Sequence, residues 1–278
     1  MTSFGYDILG FGVSGSGPVT LTSETAINSQ SNRQEVTTSS FIFSGGTLII
    51  PEDFWVWSDT QGTAGLIVDT SNATIENYGK IIGRGGNGYD AGGSRDGSEA
   101  ISITATGVTI INHSGAYIAG GGGAGGQAQN SGSGGGAGGG RGGTGAGGAG
   151  GILNASGANG ATGDPLGASG GGAGGGGCAI VQGSSGYAAG GGGGRILPGS
   201  GGAGTSSSYG TGGSGGSAGN VGGSGSGNAN GGGGGWGANG GAAAQSGNIG
   251  AGLGGKGIES NSNSFTLTNN GTIYGAQS

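Results

Sequence analysis

The sequence predicts a β-rich N-terminal part with short solenoid-like β repeats, followed by a stack of polyglycine-II helices, with few or no α-helices. Three observations predict it. Glycine supplies 87 of the 278 residues, against a usual share of roughly 7 per cent. A frame of threonine, an apolar residue, asparagine and glycine recurs at three places. No stretch carries the 3.6-residue apolar period of an amphipathic helix.

Composition sets the limits within which these elements form. Hydrophobic residues reach 31 per cent and charged residues 7 per cent, too little for a conventional side-chain core. Glycine loses the most backbone freedom on ordering, so an ordered form needs main-chain hydrogen bonds as its principal support. Four prolines and no strict Gly-X-Y period exclude collagen. Composition leaves two states open: disorder, or a backbone-bonded architecture in which glycine is the packing element. A net charge of −6 without a basic cluster excludes nucleic acid as a partner. Charge is also uneven, because residues 1–99 hold eleven of the thirteen acids and four of the seven bases, a net of −7. The single cysteine, Cys178, forms no intrachain disulfide. No signal-like or membrane-spanning apolar run is present, so the reading is of a soluble chain that does not direct its own secretion.

Residues 1–64 are moderate in glycine. Phe41, Ile42 and Phe43, residues 47–50, and Phe54, Trp55, Val56 and Trp57 read as short strands between Ser, Gly, Thr and Asn turns. The repeat follows. Residues 74–83 read TIENYGKIIG, 109–120 read TIINHSGAYIAG and 266–275 read TLTNNGTIYG. The first two copies start 35 residues apart, a spacing that suggests stacked strand-turn-strand units. Asn77, Asn112 and Asn269, with Gly79, Gly115 and Gly271, suit tight turns and are read as structural.

Residues 120–257 hold 66 glycines in 138 positions. Gly136, Gly139, Gly142, Gly145, Gly148 and Gly151 keep one unbroken three-residue phase. That period belongs to a polyproline-II type helix, which has no internal hydrogen bonds. Its buried N–H groups must therefore find partners on neighbouring helices. Ile152, Leu166, Ile180, Ile196, Tyr209, Val221, Trp236 and Ile249 interrupt the glycine every 12–16 residues. These read as turns of on the order of ten stacked helices.

Catalytic chemistry is scarce. His113 lies in a repeat turn without a nearby nucleophile in sequence, and one His with one Cys makes zinc implausible. No carboxylate spacing favours glycoside chemistry. The string from Gly83 to Gly88 matches GxGxxG, but roughly eight such matches are expected by chance in so glycine-rich a chain, and no helix pattern follows. The reading is a non-enzyme with no cofactor and no metal. Recognition remains. Tyr187, Arg195, Tyr209 and Trp236 stand at connections, with Asn239 beside the last, and aromatics and Arg are common anchors of binding surfaces. The alternative role for the aromatics is as lids on the ends of the helices.

The segments IIGRGGNG (81–88), Ala100 with Ile101, INHSGAYIAGGGGAGG (111–126) and GGGGGWGANGG (231–241) together resemble the distal tail-fibre adhesins of T-even-type bacteriophages. The resemblance covers residues 73–278; residues 1–64 do not resemble the attachment domain of that family. It implies a sandwich of polyglycine-II helices on a virion's distal tail fibre or tail tip. It also implies that Tyr187, Arg195, Tyr209, Trp236 and Asn239 face a receptor, a bacterial outer-membrane protein or surface glycan. The expected layout is an attachment domain at 1–64 that meets a tail-fibre or tail-tip protein, and solenoid-like repeats at 65–119. The helical sandwich with its receptor-binding loops follows at 120–257, and a C-terminal repeat at 258–278 packs back on the solenoid. A structural tail component without receptor contact and a polyglycine-II ice-binding protein are the competing readings.

Overall fold

The computed structural model describes residues 17–24, 31–58, 60–86, 95–126, 210–227, 229–244 and 249–278, with short strands at 169–170, 178–179 and 206–207. The first eleven strands are β1 (Val19–Thr20), β2 (Asn32–Gln34), β3 (Val36–Thr37), β4 (Thr47–Ile50), β5 (Trp55–Trp57), β6 (Leu66–Val68), β7 (Thr74–Asn77), β8 (Lys80–Ile82), β9 (Ile101–Ile103), β10 (Val108–Asn112) and β11 (Tyr117–Ala119). Two antiparallel pairs follow, β12 (Ser169–Gly170) with β13 (Cys178–Ala179) and β14 (Ser206–Ser207) with β15 (Gly210–Thr211). The chain ends in β16 (Ile258–Glu259), β17 (Phe265–Asn269) and β18 (Thr272–Tyr274).

Three parallel sheets enclose the core, in the orders β1-β4-β7-β10-β17, β2-β5-β8-β11-β18 and β3-β6-β9-β16. Each rung of this three-sided solenoid gives one strand to each sheet. Strand side chains alternate between faces, so every second residue points inward and stacks on its register partner. One column runs Leu48, Ile75 and Ile110, and another Val56, Ile81 and Ile118. A third runs Leu66, Ile101 and Ile258. All nine are fully buried.

The recurring asparagines form a ladder inside the corner between the first two sheets. Asn77 Nδ2 donates to Asn112 Oδ1 at 2.9 Å, and Asn112 Nδ2 to Asn269 Oδ1 at 2.8 Å. Asn77 Oδ1 also accepts from the Gly79 amide at 3.1 Å, which holds the turn. Asn77 and Asn112 are wholly buried. These residues are structural.

The expected boundary at residue 64 is corrected, because the sheets run through it. Val36 pairs with Leu66 and Trp57 with Ile82, so the described residues between 19 and 64 belong to the first rungs of the same solenoid. In the C-terminal segment β16 pairs with β9, β17 with β10 and β18 with β11.

The corner between the second and third sheets widens with each rung. In sequence, the strands that flank it are separated by residues 58–65, then 83–100, then 120–257. There the strand ladder passes into glycine threads without a break. Gly83 N–H donates to Ala119 O at 2.9 Å and Gly86 N–H to Gly122 O at 2.8 Å, a step of three residues on both chains. Ser98 and Gly97 bond similarly to Arg84 and Leu253. Residues 83–86 and 95–99 therefore belong to the glycine stack, which the sequence reading began at residue 120.

Within the stack each thread bonds sideways in several directions. Gly123 and Gly126 donate to Ala238 and Gly241, while Gly121 and Ala124 donate to Ser98 and Arg95. Gly231, Gly234 and Gly237 donate back to Gly126, Gly123 and Gly120 at 2.9, 2.8 and 2.7 Å. This three-residue alternation of lateral bonds is polyglycine-II packing. It requires glycine because a Cβ on Gly121 would collide with the Arg84 carbonyl, and one on Gly235 with that of Ser217. The described threads lie in two layers. One (83–86, 120–126, 230–236, 212–218) extends the second sheet, and the other (95–99, 250–257, 239–244, 221–226) extends the third.

Candidate functional site

Thread direction decides which connections are available to a partner. The 120–126 thread leads away from the solenoid, and 231–237 returns, since Gly231 bonds Gly126 and Gly237 bonds Gly120. Residues 238–241 lead away again beside 123–126, and 252–255 return beside 124–121. Connections 218–221 and 236–239 therefore lie at the solenoid end. Residues 226, 227, 229, 230, 244, 249 and 250 lie at the far end, as do residues 86 and 95. The far end is the one a partner can reach without meeting the solenoid.

Trp236 is at the solenoid end and wholly buried. It belongs to a buried apolar cluster with Trp55, Trp57, Ile82 and Ala119, against which Tyr117, Ala218 and Tyr274 pack. Trp57, Ile82, Ala119 and Tyr274 are register partners along the outer face of the second sheet. Trp57 Nε1 donates to Asn32 Oδ1 at 3.2 Å, and the Lys80 ammonium lies 5.1 Å from the Trp55 ring centre. The expectation that Trp236 projects from its connection is thus corrected. The indole is a lid that fastens the glycine stack to the solenoid. Asn239 is exposed, but its Oδ1 accepts from the Gly254 amide at 2.8 Å and ties two threads together. Tyr187, Arg195 and Tyr209 lie outside the described residues. Tyr209 falls in sequence between β14 and β15, and Thr211 of β15 accepts from the Ser226 amide at the far end.

Arg95 is a residue the sequence reading missed. Its buried side chain bonds the carbonyls of Gly250 and Gly125, so it clamps two returning threads and one outgoing thread near the far end. The neighbouring Asp96 accepts from the Leu253 amide at 2.7 Å. An Arg-Asp pair between two glycine segments was the available signal. His113 stacks on Tyr78 with ring centres 3.8 Å apart, its Nε2 3.6 Å from Glu76 Oε2. Tyr78 donates to the same carboxylate at 3.0 Å, which raises its hydroxyl pKa above the ordinary value. Among the described residues no group of three His, Cys, Asp or Glu side chains is placed to hold a metal ion.

A laterally bonded glycine stack that continues from a parallel β-solenoid, with connections at both of its ends, defines the architectural class. The model of the phage tail fibre adhesin Gp38 family matches residues 16–172, more than half of the sequence, and the chain belongs to that family. It is a tail-fibre adhesin of the virion. The crystal structure of the gp37-gp38 adhesin tip complex of the bacteriophage S16 long tail fibre is similar over 84% of this chain and 72% of that one, with 16% identity and a TM-score of 0.41. So distant a likeness places no individual residue. No curated protein matches the sequence.

Proposed function

We propose that this adhesin recognises a bacterial surface receptor, an outer-membrane protein or surface glycan, through the far-end connections of the glycine stack. Tyr187, Arg195 and Tyr209 are the anchoring candidates. The solenoid, whose first rungs lie within residues 1–64, carries the chain on a tail-fibre protein. The role is binding, without catalysis. One observation carries the reading: the threads alternate so that one set of connections, including Trp236, is spent against the solenoid while the other faces away from it. Preorganised threads leave little ordering entropy to be lost on contact, and the near-neutral stack leaves recognition to aromatic surface, hydrogen bonds and shape.

The test is host-cell capture by the purified protein. Combined replacement of Tyr187, Arg195 and Tyr209 by Ala is expected to reduce capture by about 100-fold or more, as loss of hot-spot side chains does. Undiminished capture by that variant would remove these residues from the receptor site.

A further inference from the structure

The first rung of the solenoid is buried, whereas the last is open along two of its three sides, residues 276–278 pairing with β16 on the third. At the first rung Leu21, Asn32, Val36 and Ile42 are all buried. At the last rung β17 and β18 are the terminal strands of their sheets. Side chains buried one rung earlier are uncovered there. Val108, Ile110 and Asn112 are at most 1% exposed, whereas their register partners Phe265 and Leu267 are half-buried and Asn269 is exposed. Ile273 is also half-buried. The Asn270 amide donates to Asn112 O at 2.7 Å. By the alternation of a parallel ladder, the N–H groups of Leu267 and Asn269 then point away from β10, towards the open side. Residues 260–278 contain no Asp, Glu, Lys or Arg. The charges that usually protect an exposed edge from strand pairing are missing.

The glycine stack shapes the space over this end. Gly120 donates to Tyr274 O, and a Cβ on Gly237 would strike Gly275, so the 231–237 thread meets the last rung. The 212–218 thread bonds to the far side of that thread, through Gly213 to Asn230 and Gly216 to Gly233. It therefore stands one level beyond the solenoid, with the turn at Gly219 beside the Tyr274 ring. The open rung is the floor of a step, and the overhanging threads are its wall. A second copy approaching end to end about a two-fold axis would bring its own overhang into the same space. A narrow strand end has no such conflict.

We propose that this step is the mount, and that an uncharged β-strand end of the tail-fibre protein adds to the free edges of β17 and β18. Backbone hydrogen bonds to Leu267 and Asn269 supply the pairing, and cover over Phe265, Leu267 and Ile273 supplies the apolar burial. The free edges of β17 and β18 carry no charged side chain and fit an uncharged strand, whereas the opposite end lies in the acidic part of the chain. The inference rests on the reading that the solenoid carries the chain on the fibre, and it places the mount at the end opposite the first rungs.

The experiment co-assembles the full chain with the fibre protein of the same virion and compares amide exchange with the free chain. The Leu267 and Asn269 amides are expected to slow by about 100-fold or more on assembly. Leu267→Lys is expected to lower fibre capture at least about tenfold while host-cell capture stays intact, so mounting and receptor recognition separate. Val19→Lys at the first rung and Leu253→Lys on the stack surface leave fibre capture unchanged. Unaltered exchange at Leu267 and Asn269 in the assembled state overturns the proposal, as does loss of capture by Val19→Lys with retention by Leu267→Lys. Should Leu267→Lys loosen protection at Ile110, the exchange comparison on the unmodified chain decides alone.

Discussion

Asn112 shows how much one side chain carries here. It is wholly buried between two like residues, accepting from one and donating to the other. Asn112→Ala leaves the Asn77 donor without this acceptor in a dry corner, and about 2 kcal/mol of stability should be lost in chemical denaturation. Trp236 is the matching case for packing. Trp236→Ala empties the space over Trp57 and Ile82 and is expected to cost about 3–5 kcal/mol. Its buried Nε1 has no hydrogen-bond partner, so Trp236→Phe should be much milder in the same assay. Asp69 gives a pH signature. Burial pushes its carboxyl pKa up, but bonds from the Ser39 hydroxyl and amide and from the Thr38 hydroxyl outweigh this and hold it below the ordinary value. A depressed folded pKa means that the contribution is present above the unfolded value, near 4, and is lost as pH falls through the folded one. Asp69→Asn should therefore flatten the fall in melting temperature below about pH 4.

Among the elements, the glycine thread was the most legible and the strand boundaries the least. The three-residue glycine phase at 136–151 lies outside the described residues; in the described threads the lateral donors at 120, 123 and 126 have a three-residue spacing. Val221 and Trp236 both mark solenoid-end turns, with an outgoing and a returning thread between them, so the reading of one helix per interval is corrected there. The short strands could not be bounded from sequence, because a three-residue strand such as β5 or β9 has too few positions to show alternation. Nor could residues 83–86 and 95–99 be assigned to the stack, since each is too short to display a period. Their role depends on neighbours distant in sequence. Substitution tests the thread directly. Gly121→Ala forces a Cβ into the Arg84 carbonyl, whereas a Cβ on Gly250 meets nothing within 4 Å. The first change should destabilise the stack by about 3 kcal/mol or more and the second by less than about 0.5 kcal/mol, read by thermal unfolding.

For the whole molecule, the fold joins two ways of satisfying a backbone. The solenoid buries apolar columns between parallel ladders, and at one corner those ladders run on into threads that need no side chains at all. The repeat frame and the glycine tract made both halves readable in sequence, together with the return of the last repeat. The partition of connections between two ends was not readable, because it follows from thread direction, and thread direction from pairings that no local pattern encodes. Trp236 was misplaced for that reason: an aromatic at a turn looks alike at either end. The central claim is that lateral main-chain bonds make the stack a rigid platform. Amide hydrogen exchange of the free protein tests it most directly. The account predicts that Gly121, Gly234, Gly241 and Gly252 exchange as slowly as the solenoid amides of Ile75 and Ile110. Exchange of those four glycines at the rate of an unstructured chain would contradict it.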